Sequence, residues 1–188
     1  MKAREIPVTL PHPALPGADW ADCFETRVAQ PGLTAEAAAR RAFERMPKWV
    51  DGLMLLRNLM VRPFGLQGDP DAAAADVPRV GMFPMLSTEP GETVLGFDDR
   101  HLDFRIVVQT EALGNQQTAV RMMTLIKRHN SLGRVYLAVI MPFHKLIVKS
   151  TLSRISFALH FPLNAKPPGV GPGGSWVSIT GGGQRREV

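Results

Sequence analysis

Residues 102–128 read LDFRIVVQTEALGNQQTAVRMMTLIKR, and the period of this stretch decides the fold. Leu102, Phe104, Ile106 and Val108 alternate with Asp103, Arg105, Val107 and Gln109, which is the two-residue period of a strand with one apolar face. Leu102 to Thr110 is the clearest strand of the chain. Gly114-Asn115 supplies a turn, and Gln117 to Arg128 returns as a partner rich in β-branched residues and methionines. Upstream, Val80 to Thr88 and Thr93 to Phe97 are short strands around the turn signal Glu89-Pro90-Gly91. The whole run is an antiparallel meander.

Downstream the period changes. From Leu132 to about Leu159 the pattern is helical and long. Its first half, Val135 to Phe143 (VYLAVIMPF), is apolar on every side and is expected to be gripped by other elements. A proline inside a helix removes a hydrogen bond and kinks it, so a kink is expected at Met141-Pro142. After it the helix turns amphipathic, with Lys145, Lys149, Ser153 and Ser156 on one stripe. Pro162 to Val188 is dominated by Gly and Pro and reads as a disordered tail from residue 161.

Upstream of the meander, residues 1–21 are proline-rich and read as an extended arm. Asp22 to Gln30 is a strand with Phe24, Thr26 and Val28 on one face. Pro31-Gly32 turns the chain, Thr34 caps an alanine-rich helix from Ala35 to Met46, and Pro47 opens a second helix, Lys48 to Arg62. Gly68 to Pro78 reads as a surface loop. An apolar sheet face must be covered, and the C-terminal helix is the one long enough to lie across it. The expected fold is α+β: one domain, residues 22–160, whose curved antiparallel sheet wraps a long C-terminal helix, with two short helices after the first strand. Such a wrap leaves room for a mostly apolar cavity between sheet and helix.

The bulk figures narrow the classes. With 188 residues and 45% hydrophobic content the chain suits one globular domain. A single Cys23 excludes an internal disulfide framework and a multi-cysteine zinc site, and it fits a reducing compartment. No signal peptide is readable at the start, and the longest unbroken apolar run is Val135 to Phe143, short for a bilayer span; the expected location is cytoplasmic. The net charge of +5 is unevenly placed, since no Asp or Glu lies between Ala112 and Arg186. That one-signed stretch suits an anionic membrane surface or an acidic ligand, and it equally suits pairing with the acids of residues 1–111. Nucleic acid is not an expected partner, because Tyr136 and Phe143, the aromatics among the helix bases, read as buried. The oligomeric state is not legible.

Several polar groups can carry chemistry. Asp98-Asp99-Arg100-His101-Leu102-Asp103-Phe104-Arg105 is the densest cluster, and in a regular strand Asp99, His101, Asp103 and Arg105 share a side. A His beside carboxylates can move protons near neutral pH. The same residues can also form a charge ladder, with Asp103 and Arg105 pairing to Arg121 on the neighbouring strand. His129 can approach His101 across the sheet, and Asn130 or Ser131 caps the helix. His144, after the kink, faces either the cavity or solvent. Arg57 in the second helix can place a guanidinium at a cavity mouth or bridge to Asp98 or Asp99. With Tyr136 and Ile140 of the gripping helix, these are the expected ligand contacts: Arg57, Asp99, His101, Arg105, His129, Tyr136, Ile140 and His144. No metal or cofactor is expected, as no P-loop, dinucleotide fingerprint or nucleophile elbow is present.

The segments Trp49-Val50, Leu53-Met54, Leu56-Arg57-Asn58, Phe64-Gly65-Leu66, Gly96 to Arg105, His129 to Arg134 and Pro142-Phe143-His144 resemble a bacterial family catalogued as domain of unknown function 2867. The string DDRHLDFR is the most specific part, and the resemblance runs from about Ala21 to Leu159. The element order is also similar to the START-like (SRPBCC, helix-grip) superfamily. That resemblance implies a binder of lipids, sterols, polyketides or other hydrophobic molecules. Because a few members are cyclases, the alternative expectation is a cyclase- or hydrolase-like enzyme that uses a His-Asp pair on a polyketide-like or aromatic substrate. A peripheral membrane or protein-interaction module is the third expectation.

Overall fold

The alternation in residues 102–128 becomes two paired twelve-residue strands, Leu102–Leu113 and Gln117–Arg128, in register along their whole length. The computed structural model describes residues 3–44, 77–99 and 101–157. The second helix, Lys48 to Arg62, most of the loop before Pro78, and the tail lie outside the described residues. Within them the order is β1 (Arg4–Ile6), β2 (Trp20–Val28), α1 (Ala35–Phe43), β3 (Arg79–Val80), β4 (Phe83–Glu89), β5 (Glu92–Asp98), β6 (Leu102–Leu113), β7 (Gln117–Arg128) and α2 (Ser131–Phe157). The strands form one antiparallel seven-stranded sheet, ordered β1-β2-β7-β6-β5-β4-β3.

Cross-strand partners share a face, so register sorts the side chains. Phe24 lies opposite Met122, Met122 opposite Val108, and Leu95 opposite Ile106. These residues line the helix-facing side and join α1 and α2 in the main core. Val94, Val107 and Leu125 point the other way. That outer face is also covered, because Leu10, Ala14, Leu15 and Ala18 of the N-terminal segment pack on it. The residues read as an extended arm therefore close the sheet twice, once as the edge strand β1 against β2 and once as an apolar cover.

Two helices divide the inner face. Thr34 caps α1 by accepting the Ala37 N–H at 3.2 Å, and Ala38, Ala39, Ala42 and Phe43 are buried. Small alanines let α1 approach closely over β3 to β6, with Phe43 edge-on to Phe83 at 5.3 Å. The long helix α2 packs on β2, β7 and α1. The expected long C-terminal helix on an antiparallel sheet is present, and α1 shares the inner face with it.

A second correction concerns α2 itself. Asn130 caps it, its side-chain oxygen accepting the Gly133 N–H at 3.1 Å, and the helix continues through Pro142. The segment expected to be gripped all round is not. Leu137 is buried, but Val135, Val139 and Phe143 are exposed, and the tightest packing comes later at Val148, Leu152 and Ile155. Among the described residues α2 packs chiefly on β2, β7 and α1, and the side of Val135, Val139 and Phe143 is exposed. Although its longest unbroken apolar run is short, Gly133–Ile155 as a whole is long and apolar enough to cross a membrane. In this fold it lies against the sheet.

Candidate functional site

Parity along β2 brings a carboxylate under the long helix. Phe24 and Val28 point to the core, so Asp22 and Trp20, two and four residues before Phe24, point the same way. Asp22 sits opposite Thr124 and Trp20 opposite Ile126. Above them α2 lowers His144, whose Nε2 lies 3.0 and 3.2 Å from the two Asp22 oxygens. Both side chains are largely buried, and the Trp20 ring stands edge-on to the imidazole at 5.7 Å. Around this end of the sheet Leu102, Ile126 and Leu137 form a separate apolar cluster, extended by Trp20, Phe104 and Met141. One polar pair set in an apolar surround is the arrangement that orients an amphipathic molecule.

Other buried polar groups share that face. Thr26 is buried, and its hydroxyl has no hydrogen-bond partner among the described residues. An unpaired buried hydroxyl costs about 1–3 kcal/mol.

The DDRHLDFR cluster divides in two. Asp103 and Arg105 belong to regular β6 and face outward, whereas Asp99 and His101 lie in the hairpin before it. There His101 Nδ1 meets Asp99 Oδ1 at 3.2 Å, with the His101 side chain almost fully buried. The His101 carbonyl accepts the His129 N–H at 3.0 Å, and Gly133 of α2 sits so close that an added Cβ would collide with that oxygen. His101 is therefore a wedge between hairpin and helix start.

The expected ladder exists with different partners. Register places Asp103 opposite Lys127 and Gln109 opposite Arg121. Asp103 accordingly holds His129 Nε2 at 2.8 Å and Lys127 at 3.8 Å, and Arg105 bonds Asp98 at 2.6 Å and the carbonyls of Phe97 and Phe104. Arg121 goes instead to Glu25 and Glu111, at 3.0 and 2.7 Å. The expectation that Asp103 and Arg105 pair with Arg121 is corrected by this register, whereas His129 does approach His101, through the bond of its N–H to the His101 carbonyl. Burial works against the Glu25 carboxylate, but its bonds to Arg121 and Arg4 outweigh it and hold its pKa below the usual value. Next to it Cys23 is pushed up to about 11, by burial first and then by Asp22, with Arg121 opposing and Glu25 adding.

Of the expected contacts, His144 comes to the helix–sheet seam and Ile140 is half-buried on α2. Arg105 and His129 take part in pairs on β6 and after β7, and Arg57 and the Tyr136 side chain lie outside the described residues. Asp22 and Trp20 escaped the sequence reading. The signal was present, since Asp22 has the same parity as Phe24, Thr26 and Val28, and a carboxylate on the apolar face of a strand needs a partner. Among the described residues no three His, Cys, Asp or Glu side chains converge as a metal site.

The sequence model of the family described as a protein of unknown function (DUF2867) matches residues 14–151. No curated protein matches the chain. Among solved structures, the crystal structure of CalU16 from Micromonospora echinospora is similar at 12% identity, covering 73% of this chain and 81% of that one, with a TM-score of 0.29.

Proposed function

The chain belongs to the family of proteins of unknown function DUF2867, and from that premise we propose that it binds a small hydrophobic or amphipathic molecule between the sheet and α2. The observation that carries the proposal is the Asp22–His144 pair, turned into the apolar cluster of Trp20, Leu102, Phe104, Ile126, Leu137 and Met141. The apolar body of the ligand lies on that cluster. Its polar end hydrogen-bonds with the imidazole or donates to the carboxylate. Membership of the START-like superfamily is part of this proposal, and a helix held on an antiparallel sheet supports it.

Native mass spectrometry of the purified full chain is expected to show an added mass that organic extraction removes. Titration with 1-anilinonaphthalene-8-sulfonate, a sulfonated aromatic, is expected to saturate at one probe per chain. His144→Ala should weaken it about tenfold, the order of one charge-assisted hydrogen bond. His129→Ala, which alters a pair on the other side of the sheet, should leave it unchanged. No added mass together with non-saturating fluorescence would sink the reading.

A second reading, proton transfer on the bound molecule, is favoured by the contact of His101 Nδ1 with Asp99 Oδ1 in a nearly solvent-free setting. It predicts that the captured mass changes on incubation with the native chain and persists with His101→Gln.

A further inference from the structure

Seven large apolar side chains are exposed among the described residues, and four of them lie on α2: Val135 at 56%, Val139 at 39%, Phe143 at 40% and Leu146 at 62%. Their spacing of four, four and three residues places them on one stripe, opposite the stripe of Leu137, Val148 and Ile155 that meets the sheet. Ala138 and Pro142 are exposed beside them, so the stripe runs almost unbroken for three turns. Arg134, Lys145 and Lys149 are exposed along one flank. No Asp or Glu occurs anywhere in α2. Glu5 of β1 reaches Lys145 at 3.1 Å and the Lys149 ammonium lies 5.9 Å from the Phe24 ring centroid, but among the described residues no carboxylate pairs with Arg134 or Lys149.

We propose that this face of α2 docks on an anionic membrane surface, lying in the plane of the headgroups with the stripe sunk toward the acyl chains. Charge selects that occupant. An apolar stripe flanked by bases on an acid-free helix is the pattern of an interfacial helix, for which the lipid supplies both the apolar layer and the negative charge. A second copy of the chain would set the same bases against one another across a twofold axis, and like charges there repel. Crossing the bilayer is a different matter, because it would strip Leu137, Val148, Leu152 and Ile155 from the sheet. The proposal does not rest on a ligand between sheet and helix.

The test is flotation of the full chain with vesicles of phosphatidylcholine containing roughly 30% phosphatidylglycerol, beside phosphatidylcholine alone. The anionic vesicles are expected to carry the protein, and added salt to release it. Lys149→Glu should lower the partition about fivefold or more, and Val135→Asp/Leu146→Asp should abolish it with the far-ultraviolet spectrum unchanged. As a control independent of that double variant, Leu146→Cys is labelled with an environment-sensitive nitrobenzoxadiazole; Cys23 is buried and will not compete. Its emission should shift to the blue on anionic vesicles only. The proposal is overturned by any of four results: no flotation, flotation that survives the double aspartate variant, an unshifted label, or self-association of the native chain that the double variant abolishes.

Discussion

His144 of α2 places Nε2 within 3.2 Å of both oxygens of Asp22 on β2, so one carboxylate ties the middle of the long helix to the sheet. The pair is largely shielded from water, and removing either member strands the other. Asp22→Ala should therefore lower unfolding free energy by about 1–3 kcal/mol in urea denaturation. Asp103→Ala, which breaks the partly exposed contact with His129, should cost less than about 1 kcal/mol. Equal losses from the two would mean that the seam at Asp22 is open to water.

The two sides of α2 should respond oppositely to truncation. Leu152 is completely buried against the core and Leu146 is the most exposed large apolar residue described. Leu152→Ala is expected to cost about 2–5 kcal/mol, as a deleted core side chain leaves a cavity. Leu146→Ala should stay within about 0.5 kcal/mol in the absence of lipid. Thermal melts of both variants in plain buffer check the asymmetry. A large loss for Leu146→Ala would show that another part of the chain covers that face.

The meander was legible because Leu102 to Val108 and their partners obey a strict period of two, and burial on both faces enforces it. The helix start was legible from Asn130, a capping residue before an apolar run. The sharing of the sheet between α1 and α2 was not, since helical spacing identifies an apolar stripe and is silent on which strands it meets. For the same reason VYLAVIMPF read as gripped when, among its described side chains, only Leu137, Ile140 and Met141 are at least half-buried. The ladder around Asp103 and Arg121 needed the register. A shift of six residues along β7 decides whether Asp103 faces Lys127 or Arg121, and composition cannot see that. Asp22 could have been found from parity alone.

Backbone conformation makes a paired prediction at two glycines. Gly81 has φ of +59°, and a Cβ there would lie 2.5 Å from the Phe43 carbonyl oxygen at the end of α1. Gly32 has φ of +68° with nothing within 4 Å. Gly32→Ala should cost only the left-handed strain of about 1 kcal/mol, whereas Gly81→Ala adds a backbone collision and should cost about 3 kcal/mol or more. Melting temperatures compared under the same conditions decide it, and comparable shifts would mean that α1 gives way at Phe43 without cost.

Cys23 should behave as a silent thiol whose ionisation opposes folding. Burial raises its pKa from 9.0 to about 11, with Asp22 adding to the rise. At pH 8 the folded chain then holds about 100-fold less thiolate than the unfolded chain, and the thiolate is the reacting form. Ellman's reagent should label the protein at least that much more slowly in buffer than in urea. The sign for stability follows from the raised value: the folded state keeps its proton longer, so the contribution is complete below pH 9 and is lost as pH rises toward 11. Cys23→Ala should flatten the fall in stability across that range, although the lost sulfur lowers stability near neutrality. Rapid labelling of the native chain at pH 8 would show instead that the N-terminal segment opens readily over the outer face of the sheet.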